Sequence, residues 1–226
     1  MSNKYPFYRV YSENSIAVVF GDEISPEINE KVILLERTFE REHINGIIEV
    51  VPTYTTLLVY YDLLVFSYED MISLLDKLLN ISDGDSVFKR RTIKIPVLYG
   101  DTEDIDFVLK HTKLNLESLI EIHTKNKYLV YMLGFTPGFA YLGGMDERLF
   151  TPRLESPRLK IPAGSVAIAA YQTGVYSVDS PGGWRVIGRT PLEMYNPERK
   201  QPILLRAGDY VKFESIRKEE YERWYL

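Results

Sequence analysis

The sequence predicts a two-part molecule. A small α+β unit of order ββαββα spans residues 1–84, and a mostly β unit, barrel or sandwich, spans residues 85–226. Three observations carry this reading. Residues 7–79 alternate paired β-rich runs with helically spaced apolar stripes. The polar stretch Ser82-Asp83-Gly84-Asp85-Ser86 interrupts that pattern and reads as a linker. From Tyr128 onward, short β-rich runs are separated by Gly and Pro, the grammar of a barrel or sandwich.

The elements follow in order. Phe7 to Tyr11 and Ile16 to Phe20 flank Ser12-Glu13-Asn14, which predicts a hairpin. Ser25 then stands as a helix N-cap, with Pro26 at the first helical position, where its missing N–H costs nothing. Ile28, Val32, Leu35 and Phe39 recur at helical spacing and form a buried stripe. After Asn45-Gly46, β-rich runs at Ile47–Val51 and Thr55–Tyr60 are broken by Pro52. Ser67-Tyr68-Glu69-Asp70 has the form of a capping box and opens a second helix carrying Met71, Leu74, Leu75, Leu78 and Leu79. The first unit is expected to end near Asn80. Beyond the linker, a strand over Thr92–Leu98 precedes two short helices, Asp104–His111 and Leu116–Ile122, and then the barrel runs.

Composition narrows the function classes. The chain has 226 residues and a net charge of -5, which speaks against a nucleic-acid surface, since phosphate binding needs clustered Lys and Arg. The short cluster Lys89-Arg90-Arg91 reads as a solvated edge. Cysteine is absent, so disulfides, thiolate nucleophiles and Cys-based zinc sites are excluded. The start, MSNKYPFYRV, carries no secretion signal, and no run approaches the roughly 18 apolar residues of a membrane span. A cytoplasmic protein without membrane or nucleic-acid partners is expected.

Chemistry is concentrated in residues 134–191, where glycine-containing turns at 134–144, 162–165 and 180–184 bracket arginines and hydroxyl residues. Glycine lets backbone N–H groups approach an anion, and arginine offers a planar fork for carboxylate or phosphate. These features suit either a site for a small anion or simply the tight turns of a barrel. GxxxxGK[ST], GxGxxG and GxSxG are all absent. The three histidines lack helical metal-site spacing, so no metal is expected. Arg153 and Arg158 lie next to Pro152 and Pro157 in stiff segments, as anion binders or as loop braces. Trp184 beside Gly182-Gly183 reads equally well as the closure of a barrel end.

At these residues the chain resembles a known family, the B-type subunits of 5-oxoprolinase, which includes the sporulation kinase inhibitor KipI and proteins once labelled allophanate hydrolase subunit 1. The resemblance rests on GFTPGFAYLGG (134–144), the two PR dipeptides at 152–153 and 157–158, PAGSVAIA (162–169), QTGVY (172–176), SPGGWRVIGRTP (180–191) and RAGDYVKF (206–213). In the first unit it rests mainly on VVPTY (50–54). One departure is Asp104-Ile105-Asp106-Phe107, where the family carries a Gly/Pro-Asp-Leu helix start; Asp106 is expected to keep the aspartate place. The resemblance implies a cyclophilin-like barrel, a larger homologous partner of the C type, and a third partner of the A type. It also implies ATP, with the assembly opening 5-oxoproline to glutamate. The site residues it implies are Arg153, Arg158 and Arg189 for anion binding, Ser165, Gln172, Tyr176, Ser180 and Thr190 as orienting groups, and His123 as a proton carrier. Two alternatives share the resemblance: a KipI-like inhibitor of a sensor histidine kinase, and a component of a urea or allophanate pathway.

Overall fold

In a computed structural model, residues 5–84 and 90–225 are described. The chain divides into two compact units, Met1–Lys89 and Arg90–Leu226.

The first unit contains β1 (Phe7–Ser12), β2 (Ser15–Val19), α1 (Pro26–Glu42), β3 (Ile47–Pro52), β4 (Thr56–Tyr61) and α2 (Tyr68–Gly84). Its antiparallel sheet has the order β1-β2-β4-β3. Side chains alternate across a strand, so Ile16, Val18, Leu57 and Val59 fall on one face. There they bury against Val32, Leu35 and Phe39 of α1 and Met71 and Leu75 of α2. Local chemistry sets both helix starts. The Ser25 hydroxyl accepts from the Ile28 N–H at 3.1 Å, with Pro26 at the first helical position. Ser67 and Asp70 exchange hydrogen bonds, the Ser67 hydroxyl accepting from the Asp70 N–H and the Asp70 carboxylate from the Ser67 N–H, both at 3.1 Å.

The end of α2 departs from the sequence reading. The helix continues to Gly84, and Ser82 is buried in its last turn with its hydroxyl donating to the Leu79 carbonyl at 2.9 Å. The leading half of the expected linker is therefore helical, because a serine can satisfy its hydroxyl on the preceding turn. Asp85 and Ser86 lie outside the described residues.

The second unit contains β5 (Thr92–Tyr99), α3 (Ile105–Thr112), α4 (Leu116–Lys125), β6 (Tyr128–Leu133), β7 (Ala140–Gly143), β8 (Arg158–Ile161), β9 (Ser165–Ala169), β10 (Gln172–Val175), β11 (Ser180–Gly182), β12 (Arg185–Arg189), β13 (Tyr210–Ser215) and α5 (Lys218–Glu222). Seven strands close a barrel in the order β10-β7-β6-β13-β5-β12-β9. Closure removes the exposed edges that an open sheet presents. The β5–β13 pair is parallel, from Thr92 opposite Tyr210 to Val97 opposite Ser215, and ties the start of the unit to its end. Ile95, Val97, Val130, Leu142, Val166, Ile168, Ile187 and Phe213 fill the interior. The remaining pair, β8 and β11, forms a separate antiparallel ribbon. Among the described residues no helix is long and apolar enough to cross a membrane.

Candidate functional site

The ribbon, the start of α3 and the end of β12 enclose an open-sided cleft of about 330 Å³. Its charged lining is Glu103, Asp104, Arg158, Lys160 and Arg189, with Ser165 at its floor.

Asp104 organises this cleft. It occupies the N-cap position of α3, yet its side chain makes no capping bond. The carboxylate reaches across instead and accepts from the Val186 N–H at 2.8 Å, from Arg185 Nη1 at 3.2 Å, and from Arg158 Nη1 and Nη2 at 2.7 and 2.9 Å. Only 1% of its side chain is exposed. Burial pushes its pKa up, but hydrogen bonds from Arg158, the Val186 amide and Arg185 outweigh that and hold it below the ordinary carboxylate value. The same bonds to Asp104 raise the pKa of Arg158. Arg185 also lies over the Phe107 ring, 3.7 Å from its centroid.

Around this anchor, Arg158 Nε meets Glu103 Oε2 at 3.0 Å. Lys160 pairs with Asp179 at 2.7 Å, and Asp179 also accepts from the Ala163 N–H. Arg189 ends β12, its backbone paired with Leu98 and Ser165, and among the described residues its guanidinium makes no hydrogen bond or ion pair. The floor depends on Gly164, whose φ of +79° lies in the left-handed region, and a Cβ there would stand 2.6 Å from the Thr190 carbonyl oxygen. That close approach lets the Thr190 N–H donate to the Gly164 carbonyl at 2.8 Å.

Of the residues expected to form a site, Arg158, Ser165 and Arg189 line this cleft. The others are placed differently. Thr190 is buried, its hydroxyl accepting from the Leu192 N–H at 3.2 Å, so it braces a turn. Tyr176 is buried in an aromatic cluster, its ring 5.5 Å from that of Phe139, and burial raises its pKa. Ser180 is buried at the start of β11, and its hydroxyl finds no partner among the described residues. Gln172 opens β10, and the exposed Arg153 lies 5.9 Å from the Trp184 ring centroid; neither is among the cleft-lining residues.

His123 is fully buried on α4, with Nδ1 2.6 Å from the Tyr99 hydroxyl, Nε2 2.9 Å from the Thr173 hydroxyl, and its ring stacked on Phe213 at 4.5 Å. Burial drives its pKa down to about 3. Both nitrogens are engaged and water has no access, so the side chain is a core tie between α4 and two barrel strands. In the same stretch Asp106 is exposed and Asp104 is buried. Glu103, Asp104 and Lys160 escaped the sequence reading. The one local sign was an aspartate placed to cap a helix.

Residues 6–205 match the family described as carboxyltransferase domain, subdomain C and D. The chain is 40% identical to the B-type subunit of 5-oxoprolinase from Bacillus subtilis (strain 168), covering 94% of this chain and 93% of that protein. The solved structure of TTHA0988 superposes with a TM-score of 0.81 at 36% identity, covering 90% of this chain and 40% of that one. The K. lactis urea amidolyase shares the fold, with a TM-score of 0.71 at 20% identity, and this chain spans 15% of it. The chain belongs to the carboxyltransferase subdomain C and D family, on the branch formed by the B-type subunits of 5-oxoprolinase.

Proposed function

We propose that this chain is the B-type subunit of an ATP-dependent 5-oxoprolinase, acting with a larger C-type subunit and an A-type subunit to open 5-oxoproline to glutamate. The observation that carries this reading is the end-to-end similarity to the B-type subunit from Bacillus subtilis. A lactam amide is resonance-stabilised and its nitrogen leaves poorly, so ring opening needs an activated carbonyl and well-placed charge. What this chain offers is a cationic recess for a small anion, built from Arg158 and Arg189. In this reading the barrel is a cyclophilin-like scaffold for that recess and has no isomerase role.

ATP fits the recess poorly. Three cationic side chains (Arg158, Lys160, Arg189) less two carboxylates (Glu103, Asp104) leave the lining one positive charge, too little for a triphosphate. No step through the nucleotide is therefore assigned to these residues. The test is co-purification with the C-type and A-type partners, followed by an assay of ATP-dependent glutamate release from 5-oxoproline. A stable complex without turnover would move the reading to a kinase-inhibitor role.

A further inference from the structure

Arg158 holds two carboxylates at once, and they are held very differently. Asp104 takes Nη1 and Nη2 from a buried position and has two further donors, Arg185 and the Val186 amide. Glu103 takes Nε alone, its side chain is 80% exposed, and among the described residues Arg158 is its one partner. An exposed ion pair of this kind shifts an equilibrium by roughly fivefold or less, whereas the Asp104 bonds are buried and mutually supporting.

Glu103, which takes that Nε, lines the cleft together with Arg158. On the same lining stand Arg189, whose guanidinium no described residue pairs, and Ser165. A carboxylate entering the cleft would find one guanidinium already oriented by Asp104 and a second one free. It would displace a single weakly held glutamate.

We propose that Glu103 is a stand-in for the ligand's own acid group. The cleft takes a small monocarboxylate that exchanges with Glu103 on Arg158 Nε, while Asp104 keeps the opposite edge and Arg189 supplies the second anchor. Glu103 is thus a specificity-setting residue: it neutralises Arg158 in the empty cleft and yields to an anion with a second point of attachment. With Glu103 in place the lining carries one excess positive charge, and a nucleotide brings more negative charge than the cleft balances even after Glu103 has moved. Naming that monocarboxylate 5-oxoproline rests on the function proposed above; the exchange does not.

The test titrates the full-length chain, wild type and Glu103→Gln, with 5-oxoproline, with 2-pyrrolidinone (the same lactam without the acid) and with inorganic phosphate. Arginine Nε–H resonances report the contact, and the Arg158 signal is assigned by its loss in Arg158→Lys. The expected result is a shift of that signal by 5-oxoproline and none by 2-pyrrolidinone. The Kd for 5-oxoproline should be about two- to fivefold lower in Glu103→Gln at unchanged Tm, and Arg189→Gln should weaken binding in both backgrounds. Equal affinity in the two proteins overturns the proposal. So does a phosphate shift without a carboxylate shift, or no shift in either the chain or its complex with its partners. Tighter binding in Glu103→Gln by a complex that releases no glutamate upholds the exchange and sinks the proposed function. Glutamate release with an unchanged KM for 5-oxoproline does the reverse.

Discussion

Single residues separate into those that bear the fold and those that face the cleft. His123 bears the fold, and its titration has a definite sign. Its folded pKa is about 3, below the ordinary value of 6.5, so the unfolded chain takes up a proton that the folded chain refuses. Stability from this residue is complete above about pH 6.5 and falls as pH drops toward 3, by about 2 kcal/mol between pH 7 and pH 5. His123→Gln is expected to lower stability at pH 7 by roughly 1–3 kcal/mol through its lost hydrogen bonds, and to flatten that acid slope. Urea unfolding at both pH values checks this, and an unchanged slope would contradict it. At the cleft, Asp104→Ala strips the shared carboxylate from Arg158 and Arg185 and should cost about 3 kcal/mol. Arg158→Ala leaves Asp104 its bonds to Arg185 and the Val186 amide, and should cost about 1–2 kcal/mol. The reverse order in urea melts would mean that Arg158, not Asp104, is the anchor. Arg158 was legible in the sequence because prolines flank its segment. Asp104 was not: its partners lie 54 and 81 residues away, and no local pattern records such a bond.

Elements were legible where local chemistry writes them. Ser25-Pro26 and Ser67–Asp70 carry their helix starts in the sequence, because a cap is satisfied within three residues. The overrun of α2 to Gly84 was hidden, since serine, aspartate and glycine read as a break although Ser82 packs inside the last turn. The β-rich runs after Tyr128 announced a barrel or sandwich, yet not that seven strands close into a barrel or which of the runs leave it for the β8–β11 ribbon. That choice is made by ladder partners remote in sequence. One close approach decides how the barrel closes between β5 and β12. A Cβ on Gly188 would stand 2.7 Å from Val97 Cγ1 and 2.8 Å from the Leu98 carbonyl oxygen, beside the irregularity between Val186 and Gly188. Gly188→Ala should therefore destabilise by roughly 1–3 kcal/mol. A thermal melt matching wild type would show that this junction can move apart freely.

At the scale of the whole molecule, the second unit contains its own closure. The parallel β5–β13 pair joins its two ends, and its core is drawn from its own strands and helices. A chain beginning at Arg90 is accordingly expected to fold and melt as one cooperative transition, observable by circular dichroism; a broad, non-cooperative melt would contradict that. The central claim, however, is functional. In the proposed function, this chain supplies one wall of a site that its partners complete. The most direct measurement is ATP-dependent glutamate release from 5-oxoproline, by the purified chain alone and after addition of the C-type and A-type subunits. The account predicts no release by the chain alone, turnover on reconstitution, and at least a tenfold loss of that turnover in Arg158→Ala, about 1.4 kcal/mol of transition-state stabilisation. Robust release by the chain alone, or full turnover by reconstituted Arg158→Ala, would contradict it.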